Sequence, residues 1–446
     1  MCVVIAALLC YTSQAQMPNW NDDAAPLHRA EKALTDVMVH DVFSPPAASR
    51  AYAYANMAAY EVLVHSYPGY VSLYTQLPSF PLIPASSKNI SSSLAAVYSF
   101  LQVSGQLVFS DAALNDSLHQ IIKWYKNKNI DTVIYANSLQ YGKSVADSIL
   151  AWAAKDHYKE TRTLRRYTYL KGEGKWSPTP PGYFAAVEPY WYKIRCLTMD
   201  SASQFKPKPP VDFSKDSGSL FYNQAFEVYN VVNKLSKEQK AVASFWDCNP
   251  FDLNTNGHLF FASKKISPGG HWMNITALAC RQTASNIIKT SSAYTLVAIA
   301  LFDGFISCWD EKYRSNSIRP ETFINRYIDE AWRPLLQTPP FPEYTSGHSV
   351  VSTAAAAVLT QLFGDGFSYN DNTETEFDLP VRHFNSFREA ANEAAISRLY
   401  GGIHYRSAVA NGQEEGGRIG EWVMQKIHLK KGQNQTLQEG LVLPKK

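Results

Sequence analysis

The stretch FPEYTSGHSVVSTAAAAVLTQLFG, residues 341–364, decides the fold of this chain. It reads as a turn followed by a helix, because small and apolar residues dominate from Val350 onward and Gly364 is a typical helix terminator. Ser346 is suited to cap the start of that helix. His348, in contrast, places an imidazole at the mouth of a helix that is otherwise built for burial.

Three further helical patterns flank this stretch in the C-terminal third of the chain. Residues 292–313 precede it, and residues 384–402 and 414–429 follow it. Each pattern repeats apolar residues at three- and four-residue steps, which is the period of an amphipathic helix. Four such helices predict a bundle whose core can hold a site built from facing side chains.

The rest of the chain divides into an N-terminal helical region, 17–157, and a segment rich in proline and aromatic residues, 158–215, before a C-terminal helical bundle at 216–446. The middle segment has too many prolines for a continuous helix and too many aromatics for a disordered linker. We expect an ordered loop there. Strand patterns are scarce, so the predicted fold class is all-α, with two packed helical bundles and the active site in the core of the C-terminal four-helix bundle.

Residues 1–16 have the apolar run and the small residues of a secretory signal peptide, although no Lys or Arg precedes the run. We expect a secreted or periplasmic protein; a short buried N-terminal helix is the alternative.

No later run reaches the roughly 18 apolar residues of a membrane span, so no integral membrane span is expected. The net charge of +3 gives no reason to expect nucleic-acid binding.

Four cysteines lie beyond the signal segment, at positions 196, 248, 280 and 308. In an exported chain they permit disulfides, but the sequence does not choose a pairing. Burial as small hydrophobic residues is the alternative. No Cys-x-x-Cys pair or His/Cys cluster in the sequence indicates a zinc site.

Basic side chains stand at the ends of the C-terminal helices, and they are Lys312, Arg319, His348, Arg398 and His404. Ser346 adds a hydroxyl, and Gly347 adds an unhindered N–H at a helix N-terminus, which is a natural anion site. Two arginines and a lysine would neutralise a compact oxyanion with two or three negative charges. His348 is then placed to handle the protons of that anion, and His404 can bond to its central atom as a neutral imidazole.

Three motifs carry a resemblance to a known superfamily. KYRSNSIRP (312–320), YTSGHS (344–349) and SRLYGGIH (397–404) resemble the signature shared by type 2 phosphatidic-acid phosphatases, bacterial non-specific acid phosphatases and vanadium-dependent haloperoxidases. The resemblance covers roughly residues 291–429. Upstream, FWDCNPF and SPGGHWMNIT also resemble sequences in bacterial haloperoxidase-like proteins. The signature indicates the superfamily but does not separate its chemistries.

The haloperoxidase resemblance implies a vanadate cofactor bonded to His404. The residues that it implies around the vanadate oxygens are Lys312, Arg319, Ser346, Gly347 and Arg398. His348 would move protons, and the partners would be hydrogen peroxide, a halide and a small organic substrate. The phosphatase alternative implies no cofactor, a phosphate ester as substrate and a phosphohistidine at His404. A catalytically degenerate oxyanion-binding protein is the third interpretation, and a homo-oligomer stays open in each case.

Three features favour the haloperoxidase interpretation. The chain is longer than the soluble acid phosphatases of the superfamily, and it lacks the membrane spans of the lipid phosphatases. Trp309 and Phe341 resemble the aromatic pair beside vanadate in chloride-oxidising haloperoxidases, which implies a halide pocket; plain helix packing is the alternative. Residues 174–189 could roof the site, or they could be a structural strap.

Two positions depart from the superfamily pattern. Thr345 stands where the second motif usually has proline, and threonine can still cap a helix start. Ala408 stands where the superfamily usually has an aspartate that orients the imidazole of the third motif. We expect another carboxylate, such as Glu414 or Glu415, or a backbone carbonyl to fix the tautomer of His404 instead.

Overall fold

The computed structural model describes residues 23–110, 112–250, 253–256, 259–262 and 265–432. The predicted signal segment, 1–16, lies outside these residues. Helices dominate the described chain, and the strands form two short antiparallel hairpins. The predicted all-α class with two packed helical bundles is therefore confirmed, whereas the domain boundaries proposed at 157 and 216 stay predictions.

Six helices occupy the N-terminal part: α1 (Ala25–His40), α2 (Pro45–Val64), α3 (Ser92–Leu107), α4 (Ala112–Asn127), α5 (Thr132–Ala153) and α6 (Tyr158–Thr163). The central one is α2, which packs against α3, α5 and the C-terminal bundle. It begins at a Pro-Pro pair, which is favoured in a first helical turn. Its many alanines leave room for close neighbours, and all but one of its residues are buried.

The middle of the chain is largely irregular between α6 and α7 (Leu220–Asn233), with one 3₁₀ turn at Trp191–Lys193. Then follow α8 (Lys237–Phe245), the hairpin of β1 (Leu253–Asn256) and β2 (Leu259–Ala262), and α9 (Pro268–Gln282). In this hairpin Leu253 pairs with Ala262 and Asn256 with Leu259. The segment 158–215, which the sequence predicts as a loop, thus begins with the short helix α6 and continues as coil and turns.

Five helices make the C-terminal part: α10 (Ile287–Ser315), α11 (Pro320–Tyr327), α12 (Gly347–Phe363), α13 (Phe387–Tyr400) and α14 (Arg406–Lys426). Between α12 and α13 lies the second hairpin, of β3 (Tyr369–Asp371) and β4 (Arg382–Phe384). The four helices α10, α12, α13 and α14 pack into the predicted bundle. Ser346 caps the N-terminus of α12 and Gly364 ends it, as the sequence predicted.

Glycines on α14 let this helix approach α12 closely. A Cβ added to Gly416 would lie 2.1 Å from the Val350 carbonyl oxygen, and one added to Gly420 would lie 2.5 Å from that of Ala354. Both distances are too short for any side chain. The same face fixes the first turn of α12, because a Cβ at Gly412 would lie 3.0 Å from the Ser346 carbonyl oxygen.

Among the described residues, one helix, α10, is long and apolar enough to cross a membrane by length and composition alone. However, its most apolar window is entirely buried inside the protein. On one side α10 packs against α2, and on the other against α12. One continuous hydrophobic core therefore runs through both bundles.

Candidate active site

The helix ends of the C-terminal bundle enclose a small cavity. The residues that line it are Pro45, Cys248, Asn249, Pro250, Pro268, Phe305, Trp309, Pro339, Phe341, Gly347, His348, Arg398, Ile403 and His404. Six of the predicted site residues are thus at the cavity, and Lys312, Arg319 and Ser346 lie directly behind them in the hydrogen-bond network described below. The predicted constellation is brought together in three dimensions.

Lys312, in the last turns of α10, is fully buried. Its ammonium group donates hydrogen bonds to the backbone carbonyls of Pro342 and Glu343, each at 3.1 Å, and to that of Thr345. Burial lowers the pKa of Lys312 to about 8. The lysine therefore fixes the turn that leads into α12 and places a desolvated positive charge beside it.

Arg319, at the start of α11, is also fully buried. Its guanidinium donates to the carbonyls of Phe341 at 2.9 Å and Ile403 at 2.8 Å, and one of its nitrogens lies 3.2 Å from His404 Nε2. Burial lowers the pKa of Arg319 to about 10. This arginine ties the second and third sequence motifs together at the imidazole of His404.

Arg398, near the end of α13, is the third buried cation. Its side chain donates to Ser397 Oγ at 2.9 Å and to the Trp246 carbonyl at 2.6 Å. Burial lowers the pKa of its guanidinium as well. The loop after α8 thus positions this arginine at the cavity wall.

His404 is held by a carboxylate that sequence analysis did not identify. Its Nδ1 lies 2.8 Å from Glu343 Oε1, which also accepts a hydrogen bond from the backbone N–H of Tyr405 at 3.0 Å. Burial lowers the pKa of His404 far below its ordinary value, with Arg319 acting in the same direction. The neutral ring therefore carries its proton on Nδ1 and keeps a lone pair on Nε2. Burial raises the pKa of Glu343 to about 7.

The sequence analysis expected a carboxylate to orient His404, and that carboxylate is Glu343. The two carboxylates named there as examples, Glu414 and Glu415, were the wrong ones. Glu415 is buried on the other side of the turn, where it accepts hydrogen bonds from Ser307 at 2.7 Å and Thr345 at 2.8 Å. Glu414 is exposed and pairs with Lys208 at 3.5 Å. Glu343 comes directly before the second motif. A single carboxylate in a short stretch of proline and aromatic residues was the signal available in the sequence.

His348 lies in the first turn of α12, and its Nε2 atom is buried without a hydrogen-bond partner among the described residues. Burial lowers the pKa of His348 far below the ordinary value, and Arg398 lowers it further. The imidazole is therefore neutral. An unpaired buried nitrogen at a cavity wall is costly unless a ligand meets it.

Ser346 and Gly347 form the mouth of α12. Ser346 Oγ accepts hydrogen bonds from the Ser349 backbone N–H at 3.3 Å and from the Ser349 hydroxyl at 2.8 Å. Its own hydroxyl proton has no acceptor among the described residues, so it can be donated to a ligand. Gly347 lines the cavity at the helix N-terminus, where backbone N–H groups attract anions.

Trp309 and Phe341 form the apolar side of the cavity, with ring centroids 5.0 Å apart. Lys312 Nζ and Arg319 Cζ each lie 5.0 Å from the centre of the Phe341 ring. Behind them, the Val187 carbonyl accepts hydrogen bonds from Trp309 Nε1 at 3.2 Å and from the Tyr313 hydroxyl at 2.6 Å. No described residue of 174–189 lines the cavity, so this segment serves as a strap behind the aromatic wall.

The site carries a large positive charge for a buried site. Three buried cations surround two neutral histidines, and Glu343 is the one carboxylate hydrogen-bonded to this group among the described residues. Such an excess of positive charge without counter-charge is unfavourable in a protein interior. A compact oxyanion would offset it, and it would meet the unpaired Nε2 of His348. The donor set therefore suits a tetrahedral anion such as phosphate or vanadate.

Known proteins resemble this chain in fold, and one of them also in sequence. A family model described as the VCPO second helical-bundle domain matches residues 292–431. A solved bacterial vanadium-dependent iodoperoxidase is 47% identical, with a TM-score of 0.86 over 92% of this chain and 97% of that chain. A bacterial vanadium-dependent chloroperoxidase in its holo form is 14% identical, with a TM-score of 0.63 over 92% of this chain and 96% of that one. Its apo form is 15% identical, with a TM-score of 0.63 over 88% of this chain and 95% of that one. Among curated proteins, none matches significantly.

Proposed function

The chain belongs to the vanadium-dependent haloperoxidases, and from this premise we propose that it oxidises iodide with hydrogen peroxide at a vanadate bound to His404. The observation that carries the proposal is the cluster of three fully buried cations around a cavity that contains two neutral histidines. The choice of iodide rests on the similar protein, which is an iodoperoxidase.

The resemblance assigns five groups to the vanadate oxygens: the side chains of Lys312, Arg319, Arg398 and Ser346 and the backbone N–H of Gly347. Arg398 and Gly347 line the cavity, whereas Lys312 would have to exchange one of its three backbone acceptors for an oxygen of the anion. The arginines and the lysine supply the opposite charge, and the free hydroxyl proton of Ser346 supplies a neutral donor. His404 would supply the bond to the metal. Its Nε2 carries a lone pair because Glu343 accepts the proton on Nδ1, and Arg319, which lies 3.2 Å from this Nε2, would have to turn toward the anion to free it.

When bound, vanadate supplies a Lewis acid that activates peroxide without changing its own redox state. The chain's contribution to proton transfer comes from His348. Its Nε2 is unpaired, and the negative charge of a bound vanadate would oppose the burial and the Arg398 charge that lower the pKa of this imidazole, so this atom could then accept a proton from the entering hydrogen peroxide. The overall reaction consumes one halide, one peroxide and one proton, and it yields hypohalous acid and water. The product can then halogenate a small organic substrate.

Trp309 and Phe341 would form the halide pocket. Iodide is large, polarisable and weakly hydrated, so an apolar wall beside buried cations suits it better than it suits a small, strongly hydrated anion. Phe341 contacts both Lys312 and Arg319 through its ring face, and it therefore couples the apolar wall to the cationic cage.

The other interpretations from the sequence lose support. The degenerate-protein interpretation depended on the missing aspartate at Ala408, but Glu343 takes over the orientation of His404. A phosphatase would use the same cage, and no observation in this chain favours it over the peroxidase. It is kept as a control reaction in the test.

The first test is a paired assay on metal-free protein. We expect peroxide-dependent oxidation of iodide to appear on addition of orthovanadate, and we expect no hydrolysis of p-nitrophenyl phosphate without it. Bromide, in parallel, measures halide preference. Phosphate-ester hydrolysis that vanadate inhibits, without halide oxidation, would contradict the proposal.

The second test separates the two histidines. His404→Ala should abolish vanadate binding in equilibrium dialysis, whereas His348→Ala should retain binding and lose turnover. His65→Ala, at an exposed histidine, is the matched control. Equal vanadate affinity in wild type and His404→Ala would contradict the assignment of the metal ligand.

Export is also our proposal, and it rests on the composition of residues 1–16. No disulfide joins the four cysteines of the described chain, so export does not depend on a disulfide framework there. Expression with and without residues 1–16, followed by analysis of the culture medium and the periplasm, tests it.

A further inference from the structure

A second cluster of reactive side chains lies beside the active site. Cys248 follows α8, His271 lies in the first turn of α9, and Glu374 lies in the 3₁₀ turn Thr373–Phe377. His271 Nδ1 is 3.7 Å from Cys248 Sγ and 3.1 Å from Glu374 Oε1, and the sulfur is 4.0 Å from that oxygen. All three residues are buried. Three parts of the chain thus place three metal-ligand atoms around one point.

A fourth residue fixes the orientation of the imidazole. Asp371 Oδ2 lies 2.8 Å from His271 Nε2, while Asp371 Oδ1 accepts hydrogen bonds from the Thr373 backbone N–H at 2.9 Å and hydroxyl at 2.6 Å. The carboxylate is therefore fully engaged and accepts the Nε2 proton. A carboxylate behind a histidine in this way is the usual arrangement at metal sites, since it turns the other ring nitrogen toward the metal.

The spacing of the three atoms is close to that of a tetrahedral centre. Bonds of about 2.3 Å to sulfur and about 2.1 Å to nitrogen and oxygen, at tetrahedral angles, place the ligand atoms about 3.4–3.6 Å apart. The observed separations of 3.1, 3.7 and 4.0 Å bracket that range. With Nε2 bonded to Asp371, the Nδ1 lone pair faces a carboxylate oxygen at close range. A proton on Nδ1 would make an imidazolium between Asp371 and Glu374 and leave the sulfur unused, whereas a metal ion would bind all three atoms.

We propose that Cys248, His271 and Glu374 bind a divalent transition metal of the zinc type. A thiolate, an imidazole and one carboxylate are a donor set that suits Zn²⁺ and disfavours Mg²⁺ or Ca²⁺. Cys248 also lines the active-site cavity, which gives the ion a path of entry. Sequence spacing could not reveal this site, because its ligands are far apart in the chain.

The metal would support the active site without touching its anion. The ring of Trp246 stacks on His271, with centroids 4.4 Å apart and planes inclined by 19°. The carbonyl of the same tryptophan accepts the hydrogen bond from Arg398 at 2.6 Å. A metal on His271 would therefore hold Trp246 and, through it, the guanidinium of Arg398. This makes the three ligands positioning residues for the cage rather than catalytic ones.

Cobalt substitution tests the proposal without vanadate, peroxide or halide. Purified full-length protein is freed of metal with a chelator and titrated with Co²⁺, and the near-ultraviolet absorption of a thiolate–cobalt bond is recorded. We expect one equivalent to bind with this band, and Zn²⁺ to displace it. Cys248→Ser should lose the band, and Glu374→Gln should weaken binding about tenfold or more. Cys196→Ser, at a partly exposed cysteine, is the control and should behave as wild type.

The wild-type titration decides the matter even if a variant does not fold. Absence of a thiolate–cobalt band at stoichiometric Co²⁺ would overturn the proposal and leave a proton-bridged cluster. A band that persists in Cys248→Ser would also overturn it, because the thiolate would then belong to another cysteine.

Discussion

At the scale of single residues, Glu343 determines the tautomer of His404, the proposed vanadate ligand. Its carboxylate is the acceptor for Nδ1, and the adjacent backbone N–H of Tyr405 holds it in place. Replacing it by glutamine keeps an oxygen acceptor but removes the negative charge that strengthens the ring nitrogen as a ligand. We expect Glu343→Gln to weaken vanadate binding by about 10–100-fold, as for other residues that orient metal ligands. Equilibrium dialysis against orthovanadate measures this.

A matched control for this prediction is Glu414→Gln, which removes an exposed carboxylate near the same helix. It should leave vanadate affinity unchanged. If both variants bind vanadate as wild type does, Glu343 is a structural residue of the turn, and the tautomer of His404 is fixed in another way.

Phe341 belongs to the proposed halide pocket rather than to the proposed vanadate cage. Its backbone carbonyl holds Arg319, so a side-chain substitution leaves that hydrogen bond intact. Phe341→Leu removes the ring face from two buried cations, a loss of about 1–2 kcal/mol. We expect the KM for iodide to rise about 5–30-fold while vanadate affinity changes little. The exposed Phe226→Leu is the control, and a KM that stays constant would assign Phe341 to packing alone.

At the scale of helices, the contact between α12 and α14 sets the position of the active site. Gly416 lies so close to Val350 that a methyl group would meet its carbonyl oxygen at 2.1 Å. Gly416→Ala must push the helices apart, and overpacking of this kind costs about 1–3 kcal/mol. We expect the free energy of unfolding to fall by at least this much, together with weaker vanadate binding, because Ser346 and His348 move with α12. Urea denaturation and dialysis measure the two effects.

The neighbouring glycine supplies the control for that prediction. A Cβ at Gly417 would have only an ordinary contact, 3.8 Å from the methyl group of Thr353. Because alanine is the better helix former, Gly417→Ala should stabilise the protein by about 0.5–1 kcal/mol. Equal destabilisation by both substitutions would mean that the close approach of the two helices is not the cause.

Prediction from sequence succeeded where local pattern carries the information. The helix from Ser346 to Gly364 has its cap, its apolar run and its terminator in one stretch, so its bounds could be predicted. The buried cations could be predicted because Lys312, Arg319 and Arg398 stand at characteristic positions within the sequence motifs. Glu343 and the Cys248 cluster could not, since their meaning depends on residues far away in the chain that only the packed fold brings near. The glycine face of α14 became meaningful only once α12 was known to be its neighbour.

At the scale of the whole molecule, one continuous core joins the two bundles, and it contains ionisable groups on both sides of the junction. Glu31 on α1 is buried, with one oxygen bonded to Asn56 at 3.0 Å and the other without a partner among the described residues. Burial raises the pKa of Glu31 to about 8, although its hydrogen bond with Asn56 acts in the opposite direction. Burial lowers the pKa of the neighbouring His28 to about 3.

These two shifts predict how stability depends on pH. The folded state keeps a proton on Glu31 that the unfolded state loses above its ordinary pKa of 4.5, so stability falls as pH rises from 4.5 through about 8. His28 acts in the opposite sense, but only below its ordinary pKa of 6.5. Between pH 6.5 and 8, the titration of Glu31 therefore lowers stability, and that of His28 does not oppose it. One proton corresponds to a slope of at most about 1.4 kcal/mol per pH unit.

The corresponding variant is Glu31→Gln, which keeps the shape and removes the titration. We expect the free energy of unfolding of the vanadate-free protein, measured with urea, to fall by about 1–2 kcal/mol more in wild type than in Glu31→Gln between pH 6.5 and 8. Glu160→Gln, at an exposed carboxyl, should keep the wild-type slope. If wild type and Glu31→Gln have parallel profiles, Glu31 is ionised in the folded protein. A cation or a water molecule would then have to compensate its unpaired oxygen, since a bare buried carboxylate would not withstand the desolvation that folding imposes on it.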